Sequence, residues 1–162
     1  MERHSGIRRH PKHETRIDLF GEEAKSLGKA RVAAKLPAED LARAERFYAE
    51  CLGLTPIERR SDGLLYRCAG AEFSVVRISV PRTAEAPPRT SPQMVWEVDD
   101  IESAVARLVG RGVVFDEESS SDGGTGIVEV GRGFPGAGAH GARLACFRDS
   151  EGNVLALHSP VL

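Results

Sequence analysis

Two side chains in the second half of this chain have the chemistry of an acid–base pair. Glu97 lies in "QMVWEV", a carboxylate between Trp96 and Val98. In a strand that buries one face, such a group needs a polar partner or solvent. His158 lies in the closing segment "FRDSEGNVLALHSPVL", on an apolar strand after a turn at Gly152 and Asn153. Imidazole is the side chain whose charge changes near neutral pH. Other candidates carry less. His4, His10 and His13 share a segment with Arg3, Arg8, Arg9, Lys12 and Arg16. Those like charges disfavour a closed metal site and predict a solvated tail. His140 sits in "GRGFPGAGAHG", which lacks the Lys-Ser/Thr ending and following helix of a phosphate loop; it reads as a lid residue or an exposed one. Cys51, Cys68 and Cys146 are far apart and in apolar surroundings, and no CxxC or HExxH pair is present. They read as buried thiols in a reducing cytoplasm.

The whole-chain numbers narrow the classes. A chain of 162 residues allows one compact domain. A net charge of -2 gives no pull toward nucleic acid or a membrane surface. No apolar run approaches the roughly 18 residues that span a bilayer. The basic N-terminus has no apolar stretch behind it, so a secretory signal is not expected and the cytoplasm is.

The elements that must position Glu97 and His158 repeat. Residues 1–30 read as an extension without sustained period. "RVAAKLP" reads as a strand and "AEDLARAERFYAECLGL" as an amphipathic helix, with Leu41, Ala44, Phe47, Tyr48, Cys51 and Leu52 on one face and Gly53 at its end. Strands follow at "TPIERR", "GLLYRCA" and "EFSVVRISV", separated by "SDG" and "AGAE". The Pro-rich segment 81–91 reads as a linker. The pattern then restarts. "QMVWEV" is a strand, and "DDIESAVARLVGRG" is a helix with Ile101, Ala104, Val105, Leu108 and Val109 facing inward and Asp99 or Asp100 as its cap. "VVFDEE" is a strand, a Gly-rich loop holds a short strand at "IVEV", and "RLACFRD" and "NVLALHS" close the chain as a hairpin. Two strand–helix–three-strand units, residues 31–80 and 92–160, predict an α+β protein whose sheets curve around a hollow.

"DLARAERFYAECLGL", "VDDIESAVARLVGRGVVF" and "FRDSEGNVLAL" together resemble the vicinal oxygen chelate superfamily, which includes glyoxalase I, bleomycin-resistance proteins, fosfomycin-resistance enzymes and extradiol dioxygenases. The resemblance covers about residues 31–160 and implies paired βαβββ modules forming a curved mixed-sheet cup, often at a homodimer interface. It also implies a divalent metal in the cup, where open coordination positions chelate vicinal oxygens. The family's ligand positions map onto Ala33, Ser74, Gln93 and Ala156. Alanine has no donor atom, Ser74 is a poor ligand, and Gln93 alone cannot hold a metal. Slipping one residue brings in Ala34, Val75 or Leu155, which are no better. The expectation is therefore a cup without the usual metal and without a cofactor, a divalent metal being the alternative.

Strand alternation from those positions brings Lys35, Ser74, Gln93, Glu97 and His158 into the cup, with Met94, Trp96 and Val98 on the underside. Each has a plainer reading: Lys35 reaching water, Ser74 bonded in the sheet, Gln93 exposed at a strand start, His158 at the surface. If Glu97 and His158 meet, the carboxylate would raise the imidazole pKa and the two would act as acid and base. The expected function is that of a glyoxalase- or bleomycin-resistance-like protein that binds a small organic molecule, sequestration being the expected outcome. The other reading is a lyase, isomerase or dioxygenase, metal-dependent or using Glu97 and His158. A homodimer is expected as well.

Overall fold

The computed structural model describes residues 32–79, 90–116, 126–131 and 141–161. The expectations for residues 1–30, for most of the 81–91 linker and for His140 fall outside them. Ala33–Leu162 forms one compact unit. Its first repeat runs β1 (Ala34–Ala38), α1 (Leu41–Glu50), β2 (Glu58–Arg60), β3 (Gly63–Cys68) and β4 (Ala71–Arg77). The second runs β5 (Met94–Glu97), α2 (Ile101–Val109), β6 (Ile127–Gly131), β7 (Gly141–Arg148) and β8 (Val154–Val161). Each repeat makes a four-stranded mixed sheet, ordered β1-β4-β3-β2 and β5-β8-β7-β6. The pairing is equivalent in both: the first strand runs parallel to the last, and the others are antiparallel. This is the expected α+β pair of modules, with one difference. The described part of "VVFDEE", residues 113–116, contributes a bridge, Phe115 to Phe147, and Asp116 N–H donates to the Cys146 carbonyl. β6 pairs further along the same edge of β7.

Both helices start on an aspartate. Asp40 accepts from the Ala42 and Arg43 amides, and Asp100 accepts from the Ser103 amide, which satisfies donors that a helix start leaves unpaired. Of the two expected caps for α2, Asp100 is the one used. The ends are also related. Gly112 has φ +91 and donates to the Val109 carbonyl, while Val113 donates to Leu108. That is a Schellman closure, with buried Val113 in the position that packs back on the last turn. Gly53 has φ +70, and Leu54 donates to Tyr48. Leu41, Ala44 and Tyr48 of α1, and Ile101, Ala104 and Val105 of α2, are buried as their spacing requires. Val109 departs from the expectation and is exposed, because it ends α2 at the margin of the apolar stripe.

The modules share the core on their helix side. Tyr48, Tyr66 and Phe73 stack, Phe73 meets Trp96 edge-on at 6.1 Å, and Trp96 lies over Phe147. The β7–β8 turn locks onto the first module. The Tyr48 hydroxyl donates to the Asp149 carboxylate, and the Asn153 amide donates to the Pro37 carbonyl and to Asp149. Pro37 is tolerated inside β1 because β1 is an edge strand.

Candidate functional site

In each sheet, one face packs under the helices and the other carries the sequence-derived candidates. Register assigns them. Lys35 on β1 pairs with Ser74 on β4, which is flanked in turn by Leu65 of β3, and Leu65 by Glu58 of β2. Glu97 on β5 pairs with His158 on β8, flanked by Leu144 of β7. Leu36, Val75, Trp96 and Leu157 alternate with them and belong to the shared core.

The two pairs differ in surroundings. Lys35 is exposed and Ser74 half-buried. They line a shallow cavity of about 260 Å³ with Glu58, Arg60 and Asp62, where Arg60 pairs with Glu58. Strand alternation alone does not identify these three charged neighbours, since only the pairing of β2 with β3 brings them to Ser74. The Glu97–His158 pair is the reverse. Glu97, on an edge strand, is exposed, and its carboxylate goes to water. His158, on an inner strand, is 3% exposed, and neither ring nitrogen has a hydrogen-bond partner. No ion pair or hydrogen bond joins the two side chains, so the expected acid–base contact is a register neighbour without a bond. Gln93 precedes β5, is exposed, and is held by its backbone N–H, which donates to the Val154 carbonyl.

His158 shares its strand face with Val154 and Ala156, both fully buried, so its imidazole stands in apolar surroundings. Ala156 lies between Val95 of β5 and Cys146 of β7. Burial, with Asp116 nearby adding to it, pushes the Cys146 thiol up and keeps it neutral. The first module also buries a tyrosine hydroxyl without a partner. That is Tyr66, whose pKa burial pushes up to about 12, but it lies on the helix side, stacked on Tyr48 and Phe73. His158 is thus the buried, unpartnered polar side chain on a candidate face.

A family model for the glyoxalase/bleomycin resistance protein/dioxygenase superfamily matches residues 30–157. The chain belongs to that superfamily. No curated protein matches it. Solved structures share the fold. A glyoxalase/bleomycin resistance protein/dioxygenase from Alicyclobacillus acidocaldarius is 18% identical with TM-score 0.57, over 82% of this chain and 92% of that one. A virulence protein from Salmonella typhimurium is 19% identical with TM-score 0.56, over 81% and 97%. TnmS3, an antibiotic binding protein from Streptomyces sp. CB03234, is 25% identical with TM-score 0.51, over 79% and 93%.

Superfamily membership raises the question of a metal, and the residues at the family's ligand positions do not fit one. The Ala156 position has Val95 and Cys146 beside it, so the nearest register neighbours offer one neutral thiol. At Lys35–Ser74 the register neighbours supply a hydroxyl and an ammonium, neither a ligand these metals favour. Among the described residues no group of three His, Cys, Asp or Glu side chains is placed to hold an ion. No helix among them is long and apolar enough to cross a membrane.

Proposed function

We propose that this superfamily member binds a small organic molecule in a cup without the usual metal and releases it unchanged. The observation that carries the reading is His158. A buried imidazole with both nitrogens unpaired costs roughly 1–3 kcal/mol in the free protein. A ligand that donates to one nitrogen and accepts from the other would remove that cost on binding. Leu144, the register neighbour of His158, lines a cavity of about 260 Å³ with Val128 and Cys146, which supplies apolar wall of the kind ordinary in a small-molecule site. Gln93 and Glu97 orient the ligand at the rim, and Lys35 and Ser74 do so on the first module. The TnmS3 likeness supports the same class, since that relative is an antibiotic binding protein.

The cup is completed by a second copy. The faces carrying Lys35–Ser74 and Glu97–His158 both lie opposite the helix-side core that joins the modules within one chain. A two-fold partner would set one chain's first-module face against the other's second-module face. Sedimentation checks this; a monomer at micromolar concentration that still binds ligand would remove the dimer from the proposal.

The adjacency of Glu97 and His158 on one rung favours a second reading, a metal-independent lyase or isomerase in which His158 moves a proton and Glu97 steadies the imidazolium. One experiment separates the readings. Thermal-shift screening against aromatic antibiotics and small metabolites should find a compound that raises Tm, because a ligand bound only to the folded state stabilises it. Mass analysis should then recover it unaltered, and His158→Leu should abolish the shift. A turned-over compound, with turnover lost and binding kept in Glu97→Gln, would replace sequestration by catalysis. A tightly held divalent ion in the purified protein would overturn the metal-free cup.

A further inference from the structure

A second cavity, of about 220 Å³, lies on the opposite side of the sheets from the cup face. Its walls come from both modules: Leu52, Leu54 and Cys68 from the first, Trp96, Phe147 and Leu157 from the second. Trp96 and Leu157 point away from Glu97 and His158, because alternation puts neighbours in a strand on opposite faces. The cavity is therefore separate from the proposed cup. It is apolar and walled by aromatic rings, and a dry cavity of roughly 150 Å³ already admits benzene.

Two arginines of the α2 end, Arg107 and Arg111, also line it. Both are exposed, and neither makes an ion pair among the described residues. Arg143 and Arg59, by contrast, are paired, with Glu102 and Glu45 respectively. Arg111 reaches across to the first module. Its Nη1 comes within 2.5 Å of where a Cβ on residue 53 would stand, so it can lie there only because residue 53 is glycine. Gly53 thus closes α1 and leaves a slot for a guanidinium from the other module. A cation at a helix C-terminus also complements the helix dipole, but the ends of α1 and α2 carry only about half a charge each, which two guanidinium groups together exceed. What remains is positive charge at the mouth of an aromatic-lined cavity.

We propose that this cavity is a binding site for a small carboxylate with an aromatic body, its ring against Trp96 and Phe147 and its carboxylate held by Arg107 and Arg111. Arginine favours that geometry, since the planar fork meets a carboxylate with two parallel hydrogen bonds. The occupant needs one ring, one short linker and one negative charge.

Trp96 is the single tryptophan of the chain, so its emission reports this cavity. The full-length protein is titrated with phenylacetate and with its neutral counterpart phenylacetamide. Phenylacetate should change the Trp96 emission saturably and bind at least about tenfold more tightly than phenylacetamide, as expected for a charge-assisted pair. In the double variant Arg107→Gln/Arg111→Gln the preference should vanish, with the two compounds binding equally. Both positions are on the surface, so the variant should fold, and an unchanged urea midpoint would confirm it. Equal binding of acid and amide to the wild type would overturn the proposal, as would a preference retained by the double variant. A Trp96 emission that is already that of a fully apolar site and answers neither compound would mean that protein fills the cavity, and would overturn it too.

Discussion

The two modules are one scaffold used twice, and the comparison separates what folds the chain from what it presents. On the helix side they match position by position. Asp40 corresponds to Asp100 as the helix cap, Leu36 to Trp96 as the strand residue beneath the helix, and Gly53 to Gly112 at the helix end. On the opposite face the match breaks. The rung occupied by Lys35 and Ser74 in the first module is occupied by Val95 and Ala156 in the second. The next rung reverses this, with Pro37 and Val76 in the first and Glu97 and His158 in the second. Each module thus places its polar pair where the other is apolar. The turns joining the last two strands diverge as well. In the first module it is Ala69-Gly70 alone, and in the second it is the Asp149–Asn153 network that holds the first module. Burial constrains the helix side to repeat; the other face is free to specialise.

The network turn should be where the comparison breaks hardest. Asp149 is buried, and its carboxylate accepts from the Glu151 and Asn153 amides, the Tyr48 hydroxyl and the Asn153 side chain. Asp149→Ala orphans those donors, and should cost about 3 kcal/mol or more in urea unfolding. Gly70→Ala in the other turn strains the φ +86 backbone but orphans no donor, and should cost about 1 kcal/mol. Equal losses would mean that the Asp149 network does not carry the docking of the modules.

The rungs offer a second break. His158→Leu removes two unpaired buried nitrogens, and should stabilise the free protein by about 1 kcal/mol while abolishing ligand binding. Stability and function then move in opposite directions, which a merely structural histidine would not do. Ser74→Ala, on the polar rung of the first module, should leave stability within about 0.5 kcal/mol, because Ser74 is only half-buried. Destabilisation by His158→Leu would mean that the imidazole makes contacts the free protein needs.

A third test concerns Glu151, which has no counterpart in the two-residue turn. Its buried carboxylate accepts from the Glu39 and Asp40 amides and from Arg43, bracing the start of α1 from the other module. Burial acts to raise its pKa, but the Arg43 hydrogen bond and the Asp40 and Glu39 amides together outweigh it, so the pKa is lowered. A carboxylate lowered on folding gives stability that is present above its unfolded pKa of about 4.3 and lost as pH falls through the folded value. Glu151→Gln should therefore cost about 1 kcal/mol at pH 7, and the gap to wild type should close below about pH 4. A gap that persists at pH 3 would assign the loss to packing.

The helix side was legible in the sequence because periodicity states it directly. The apolar stripes of α1 and α2, the Asp caps, the glycine ends and the repeat itself all read from spacing, and the superfamily resemblance followed. The cup face was legible only as a list. Alternation named Lys35, Ser74, Glu97 and His158, but which rungs they share depends on strand pairing, and that is set by contacts distant in the chain. Burial was harder still. Glu97 and His158 are neighbours, yet one is open and the other enclosed, because β5 is an edge strand and β8 is not. Arg107 and Arg111 carry no signal in the sequence, and only the docking of the modules brings both to the cavity beside Trp96 and Arg111 next to Gly53. The separation of "VVFDEE" from the short strand at "IVEV" was legible, because the Gly-rich segment stands between them; that Phe115 makes only an isolated bridge was not, since "VVFD" has strand character.

The smallest effect lies in the short turn. Ala69 has φ +45, the one described non-glycine residue in the left-handed region, and Gly70 follows at +86. Two positive φ values in a two-residue hairpin make a type I′ turn, whose twist matches that of the flanking strands and which favours Asn-Gly. Ala69 holds the first position at a steric cost of about 1 kcal/mol, which asparagine largely avoids through local hydrogen bonding. Ala69→Asn should therefore stabilise the protein by up to about 1 kcal/mol, read as a higher urea midpoint with unchanged slope. The substitution touches neither the cup nor the Asp149 network, so binding should be unaffected. A midpoint that does not rise would mean that the Cys68–Ala71 pair, not the turn residues, sets the register of β3 and β4. The two turns would then differ in sequence but not in the part they play.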